Sequence, residues 1–374
     1  TTEIYTLSLH DALPISPTFA RWWLPSNDTP DDVAAFSAVL RVPATWQAVA
    51  SGAPDAAFGG ASGRLVGRDR RLVRFATGEL ATHQIAVAAG PFPLALRAVC
   101  LANAPAAPPD GADPADRADP ADLDEPVPWT ASPTCRPTER RVAVDLYNVP
   151  AGSAAITSTL DAIAWLDRHV APWPHANVAL VGGAHNMPLD RADVVNVAAQ
   201  SSSFAAGEAA ARAYFGDGVR VGDWDDVWIR EGFTALLARF RTHDFELGPL
   251  CECRVEPLFT VGIDPADLLI ARDRFGPVPA TCHGAAAVLD LHIRSAAAVG
   301  LGVDAAPARR LMLAIVRDVH GSFDGRAVTT AQLVDHVAAR LPAAYAAVGL
   351  AIDDAAARGV AAGWAERWGV ADRR

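Results

Sequence analysis

The sequence lacks several features that mark common functional classes. It has no lysine, so arginine carries all the fixed positive charge, and acidic residues still give the 374-residue chain a formal net charge of −11. Such an acidic chain is a poor partner for nucleic acids and anionic membranes. No apolar run free of charge and proline reaches the ~18 residues that a membrane-spanning helix needs. The composition therefore predicts a soluble globular protein of two or three domains, either cytoplasmic or exported.

Cysteine is also scarce. Its five residues are odd in number and scattered, which does not fit a disulfide framework, and a C-x-C pair without a second pair is too short for a local zinc knuckle. We expect ordinary cysteines, with one loop disulfide as the alternative if the protein is exported. The residues are Cys100, Cys135, Cys251, Cys253 and Cys282.

Two stretches contribute nothing to a predicted core. Residues 1–16 match nothing that follows and resemble translated sequencing-adapter strings, so we treat them as non-native and expect the natural N-terminus to be missing. Residues 103–134 are rich in proline, alanine and aspartate, which predicts a disordered acidic loop. Calcium binding by this loop is disfavoured because the ligand spacing is absent.

The most informative stretch runs from Glu208 to Glu231 and reads EAAARAYFGDGVRVGDWDDVWIRE. An alanine-rich helical run is followed by a glycine-rich break and a second helix, VWIREGFTALLARF. The stretch resembles the gluzincin zinc aminopeptidases of the alanyl aminopeptidase type, which write H-E-x-x-H-Q-W-F-G and then W-x-x-x-W-L-N-E-G-F-A. The spacing also agrees, because eighteen residues separate Arg212 from Glu231, as in the family. The matching residues are Phe215, Gly216, Asp217, Trp224, Trp228, Glu231, Gly232 and Phe233.

The residues that carry the family's chemistry are nevertheless replaced. In H-E-x-x-H, two histidines on one helical face bind zinc and the glutamate between them is the general base. The resemblance places the metal-ligand positions at Glu208, Arg212 and Glu231, and the base at Ala209. A guanidinium has no lone pair for a metal, and alanine cannot accept a proton. We therefore expect no bound metal and no intact catalytic residue, although zinc is the cofactor of the family.

The family's substrate-binding positions are altered as well. Its G-x-M-E-N strand, whose glutamate holds the substrate's amino group, corresponds to Gly182, Gly183, Ala184, His185 and Asn186. An imidazole is a poor partner for an ammonium group. The segment Thr281-Cys-His-Gly284 resembles the family's Y-x-x-G and puts a threonine where a tyrosine stabilises the oxyanion.

The resemblance implies an α+β fold. We expect a truncated N-terminal β-sandwich-like domain at 17–150, a thermolysin-like peptidase-type domain at 151–300 and a helical C-terminal segment at 301–374. Predicted strands include Arg71–Phe75, His83–Ala89 and Arg141–Tyr147. Val178–Val181 is expected to be an edge strand, and Thr329 or Thr330 is predicted to cap a helix.

These replacements favour a catalytically degenerate homologue that binds a peptide or protein in the old cleft or regulates an active relative. The alternative is a metalloaminopeptidase with an altered site, for example one that uses His185, His283 and Glu231. A decayed or mis-assembled reading frame is a third interpretation. We also hypothesise that Glu208, Arg212 and Glu231 form an ion triad, because a partly buried carboxylate without zinc needs a cation.

Overall fold

The computed structural model describes residues 29–102, 123, 127–132, 134–150, 152–182, 193–197, 203–242 and 278–368. The chain divides into two compact units. The first comprises Thr1–Asn103, Pro128–Ala164 and Trp173–Ala213, and the second comprises Ala104–Val127, Trp165–Pro172 and Tyr214–Arg374. The predicted α+β class with a helical C-terminal part is confirmed, whereas the domain boundaries drawn from the sequence remain a prediction.

Among the described residues, the first unit contains all the longer strands, the helix Ser203–Ala211 and most of the helix Ala154–His169, whose last residues, from Trp165 on, belong to the second unit. One sheet has the order β1-β5-β3, with β4 also paired to β5, and a second has the order β11-β10-β9-β7-β8. Strands β2 and β6 form a separate pair. The strands are β1 (Val33–Pro43), β2 (Gln47–Ala50), β3 (Ala53–Pro54), β4 (Arg64–Val66), β5 (Arg70–Ala81), β6 (Val87–Gly90), β7 (Leu94–Ala102), β8 (Trp129–Ala131), β9 (Glu139–Tyr147), β10 (Asn177–Gly182) and β11 (Val194–Val197); the helices are α1 (Ala154–His169) and α2 (Ser203–Ala211).

Two predictions about these strands need correction. The strand expected at His83–Ala89 begins only at Val87, because the Gln84 side chain accepts a hydrogen bond from the Ala81 N–H and holds Thr82–Gln84 in a 3-10 turn. The segment Val178–Val181 is not an edge strand. It belongs to β10, which pairs in parallel with β9 on one side and β11 on the other. All six residues of β10 are buried, as is typical of a strand in the interior of a sheet.

A disulfide joins Cys100 in β7 to Cys135 in the segment before β9. The disulfide links the two segments of the chain that come directly before and after the acidic stretch 103–134. The structure therefore has the single loop disulfide that the sequence left open as an alternative. The expectation that the cysteines are unpaired is wrong for Cys100 and Cys135. Cys251 and Cys253 lie outside the described residues.

The second unit is largely helical. Helices α3 and α4 pack closely against each other, and the last three helices follow with short connections. Thr329 caps α6, because its hydroxyl accepts from the Gln332 N–H while the Gln332 side chain accepts from the Thr329 N–H, which confirms the predicted cap. The elements are β12 (Arg220–Val221), α3 (Val227–Thr242), α4 (Val278–Ala297), α5 (Ala306–Phe323), β13 (Ala327–Val328), α6 (Thr330–Ala347) and α7 (Asp354–Arg367).

None of the helices in the described residues combines the length and the apolar character that crossing a membrane requires.

Candidate functional site

Helix α2 and the turn after it carry Glu208, Ala209 and Arg212, the positions that the sequence predicts to correspond to the family's two histidines and its base. The Arg212 N–H donates to the Glu208 carbonyl over 3.2 Å, so the helical turn extends past Ala211 and places the two side chains one turn apart. Ala206, Ala210 and Ala211 are buried, whereas Glu208, Ala209 and Arg212 are partly exposed. The partly exposed side of α2 therefore presents a carboxylate, a methyl group and a guanidinium, and no imidazole.

Helix α3 carries Glu231, the residue that the sequence predicts to match the family's third ligand position. This carboxylate is buried, with 5% of the residue exposed. Its Oε1 atom accepts hydrogen bonds from Arg230 Nε at 2.8 Å and Arg230 Nη2 at 2.5 Å. Charge-assisted bonds of this length are the strong ones among protein hydrogen bonds. The charge of the Glu231 carboxylate is therefore compensated by an adjacent guanidinium.

Sequence reasoning missed Arg230. The available signal was its position directly before Glu231, where the family motif has asparagine. Helical spacing gives no reason to pair adjacent residues, because i and i+1 point to different sides of a helix. The proposed triad joins residues that belong to the two different units and remains a hypothesis.

Close packing of α3 against α4 explains two glycines of the resemblance. A Cβ atom added to Gly232 would lie 2.5 Å from the Gly284 carbonyl oxygen, and one added to Gly284 would lie 2.3 Å from the Trp228 carbonyl oxygen. Both distances are far inside van der Waals contact, so the two backbones approach too closely for any side chain. This geometry requires glycine at positions 232 and 284.

The aromatic residues of the motif have structural roles in the second unit. Phe215 and Phe233 stack with ring centroids 4.5 Å apart and an interplanar angle of 11°. The Trp228 indole donates to the Thr330 hydroxyl at 2.9 Å, and the Thr330 N–H donates to Asp226 Oδ1 at 2.8 Å. Burial raises the pKa of Asp226 against the opposing effect of the bonds from Thr330. This network fixes the start of α6 beside α3.

The substrate-binding positions are only partly described. Gly182 ends β10; its carbonyl accepts from Asn148 Nδ2 at 3.1 Å, and a Cβ on it would lie 2.5 Å from the Asn148 carbonyl oxygen. Gly183, Ala184, His185 and Asn186 lie outside the described residues. Thr281 lies in the first turn of α4, and the side chains of residues 281–283, including His283, are likewise outside the description.

A group of metal-ligand side chains lies away from these positions. Within the described residues, Cys100, Cys135 and Glu139 bring their ligand atoms within 4.8 Å of one another. The two sulfur atoms form the disulfide, so neither is a thiolate that could bind a metal. The group therefore offers a single carboxylate.

Comparison with known proteins gives a match in structure but not in sequence. No protein-family model and no curated protein matches the chain. A two-domain M1 zinc metallopeptidase point mutant bound to L-arginine superposes with a TM-score of 0.59 and 18% identity, over 93% of this chain and 67% of that one. The M1 zinc metallopeptidase of Deinococcus radiodurans gives 0.55 and 18%, over 92% and 66%. The chain thus spans about two thirds of the length of these proteins, and the likeness shows that it has the fold of the two-domain M1 zinc metallopeptidases.

Proposed function

We propose that this protein binds a peptide or protein ligand on a metallopeptidase-like scaffold and does not hydrolyse it. The observation that carries the proposal is the Arg230–Glu231 pair. The one family ligand that the sequence keeps is buried and bonded to a guanidinium through Oε1. A metal ion at that oxygen would have to displace the cation and would face its charge at close range.

Zinc does not fit the residues at the family positions. Structural and catalytic zinc sites use thiolate, imidazole and carboxylate ligands, with at least three from the protein. Here the three positions supply two carboxylates and a guanidinium, and one of the carboxylates already binds Arg230. The general base is also missing at Ala209. We therefore derive no hydrolytic step for this chain.

The ligand class follows from the scaffold's relatives in structure. M1 metallopeptidase mutants have been solved with L-arginine, with L-tryptophan and with a Tyr-Ser-Ala substrate. We expect the corresponding region of this protein to accept amino acids or short peptides, with the segment that begins at Gly182 contributing backbone groups. His185 in place of the family's glutamate weakens the hold on a free amino group.

The test combines metal analysis, an activity assay and ligand binding on the purified full chain. We expect less than stoichiometric zinc by elemental analysis, no release of aminoacyl chromophores, and heat of binding with Tyr-Ser-Ala in titration calorimetry. The positive control for metal is Glu208→His/Arg212→His, which places two imidazoles one turn apart on α2 and should gain zinc with little turnover.

Chelator-sensitive hydrolysis by the unmodified protein would overturn the proposal and favour the altered-site metalloaminopeptidase. If the protein neither hydrolyses nor binds the peptide, the proposed loss of catalysis stands and the proposed binding role is refuted.

A further inference from the structure

The disulfide of the first unit lies beside a carboxylate. The sulfur atoms of Cys100 and Cys135 and a carboxylate oxygen of Glu139 all lie within 4.8 Å of one another. While the two sulfur atoms are bonded to each other, neither is a thiolate that could bind a metal ion. Reduction of the bond would turn the same three side chains into two thiolates and a carboxylate, which are ligand types that zinc uses.

The pairing of β7 with β9 places two of these ligands on one face of the sheet. Ala102 pairs with Glu139, and Cys100 pairs with Arg141. Cys100 and Glu139 are therefore diagonal neighbours on the same face, at a separation that a long side chain can span. The Trp129 indole, on the other face, donates to a carboxylate of α1 at 2.7 Å. The ligand atoms thus lie on the side of the sheet away from that helix.

A tight turn before β9 supplies the third ligand. Cys135 comes four residues before Glu139, and the Glu139 N–H donates to the Arg136 carbonyl at 2.9 Å. The Arg136 N–H donates in turn to Glu139 Oε2 at 2.8 Å. A carboxylate that binds a metal is typically oriented by a hydrogen bond of this kind. The other oxygen, Oε1, has only a loose contact with the Arg136 guanidinium, at 4.0 Å, and is the oxygen that a metal ion would use.

The charges around the three ligands suit a metal bound by thiolates. Two thiolates and one carboxylate with a divalent ion leave one excess negative charge. Arg136 lies in the turn, and Arg141 shares a face with Cys100 because the two residues are directly paired. Guanidiniums beside sulfur atoms favour the thiolate form, which is the form that binds metal.

The two cysteines differ in their access to a reductant. Only 2% of Cys100 is exposed, whereas Cys135 is partly exposed. Thiol–disulfide exchange requires an incoming thiolate to reach one of the two sulfur atoms. The attack is therefore expected at Cys135 Sγ, with Cys100 as the leaving thiolate.

We propose that reduction of the Cys100–Cys135 disulfide by a dithiol creates a zinc site made of both sulfur atoms, Glu139 Oε1 and a water molecule. One thiolate of the reductant attacks Cys135 Sγ and breaks the S–S bond, and its second thiol then displaces Cys135 as a thiol. The reductant becomes a disulfide, the protein gains two electrons and two protons, and both protons go to solvent when zinc binds the thiolates. Thiolate ligands select zinc over magnesium and calcium.

This site is independent of the proposed peptide binding and of the family's zinc positions. The experiment uses the full chain with Cys251, Cys253 and Cys282 replaced by serine, so that Cys100 and Cys135 are the only cysteines. Zinc is titrated before and after reduction with a water-soluble phosphine, which contains no thiol to compete for the metal. Elemental analysis after gel filtration should find one zinc ion per chain in the reduced protein and none in the oxidised protein.

Three variants test the ligands. Glu139→Gln keeps the size of the side chain but removes its charge, and should weaken zinc binding at least about tenfold, the loss that even an outer-shell partner causes. Glu79→Gln is the matched control, because Glu79 is exposed in β5 of the other sheet and the net charge changes equally. It should change the affinity less than about twofold, since remote surface charges are screened. Cys135→Ser leaves one thiolate and should abolish tight binding.

Hydrogen exchange shows whether the ion binds the folded arrangement. Reduction in the presence of a chelator should raise exchange in β7 and β9, and zinc should lower it again. The proposal would be overturned by a disulfide that the phosphine cannot reduce in the folded protein, by a reduced chain that binds no zinc, or by equal affinity in Glu139→Gln. Zinc binding that leaves the exchange of both strands unchanged would also overturn it, because the thiolates would then bind the ion in an unfolded segment.

Discussion

The two units keep their parts of the motif under different constraints. In the second unit, Gly232, Gly284, Phe215, Phe233 and Trp228 fill a tightly packed pair of helices in which the backbones approach within contact distance. In the first unit, a carboxylate, a methyl group and a guanidinium are partly exposed at Glu208, Ala209 and Arg212, and the alanines behind them are buried. We therefore expect substitutions at the packed positions of the second unit to lower stability more than substitutions at the partly exposed positions of the first.

The units also differ in their buried titratable groups. In the first unit, burial raises the pKa of Asp145 to about 6. In the second unit, burial and nearby arginines lower the pKa of His169 to about 4, and burial lowers that of His292 to about 4. Burial also raises the pKa of Asp226 in the second unit, so both units contain a buried acid that is costly when charged. The second unit contains in addition two bases that are costly when charged at acid pH.

The largest expected effect concerns the disulfide of the first unit. Cys100 and Cys135 are 35 residues apart, and the loop-closure entropy of such a link corresponds to about 4 kcal/mol of stability. Reduction by a dithiol should increase hydrogen exchange in β7 and β9, and leave α3 and α4 unchanged, as measured by mass spectrometry. An equal increase in hydrogen exchange in both units would show that the units unfold together, and would contradict the view that they have separate stabilities.

The second prediction tests the steric constraint in the second unit. Gly284→Ala forces a methyl group against the Trp228 carbonyl and should cost about 3 kcal/mol. Gly359 in α7 is the matched control, because a Cβ there meets nothing within 4 Å. Gly359→Ala should raise stability by about 0.5–1 kcal/mol through helix propensity. Thermal melts of both variants measure this difference, and similar melts would contradict the packing argument.

Acid should destabilise the second unit through His169. Its folded pKa of about 4 lies below the ordinary 6.5, so the unfolded state binds the proton first. The stabilising contribution is present above pH 6.5 and is lost as pH falls towards 4, by up to about 3 kcal/mol. His169→Phe keeps a ring beside Trp165 and should flatten this part of the pH profile in denaturant titrations. An unchanged slope would show that His169 is not responsible.

The last effect has the opposite sign and belongs to the first unit. Because the folded pKa of Asp145 is raised, the folded state binds the proton first, and stability falls as pH rises from about 4 to about 6. Asp145→Asn should therefore stabilise the protein by up to about 3 kcal/mol at pH 8, with no gain at pH 3. Asp31→Asn, at an exposed position, is the control and should change nothing. A pH-independent gain would point to packing instead of ionisation.

The sequence predicted much of the second unit because its signals are local. The helix VWIREGFTALLARF appears within α3, and the Thr329 cap follows from the hydroxyl and the glutamine three residues later. The strand predicted at His83–Ala89 is wrong in its first half. There the Ala81 N–H donates a hydrogen bond to the Gln84 side chain and turns the chain, and β propensity does not include such a bond.

The sequence by itself determined the spacing of the motif, and with it the α+β fold class that the structure confirms. The assignment of Glu208 and Arg212 to the family's zinc-ligand positions stays a prediction. Only the tertiary structure decided the pairing of Cys100 with Cys135, the interior place of β10 and the bonding of Glu231 to Arg230. The physical reason is that spacing along a helix is fixed by its periodicity, whereas contacts between distant residues and the choice of side-chain partner depend on how the elements pack.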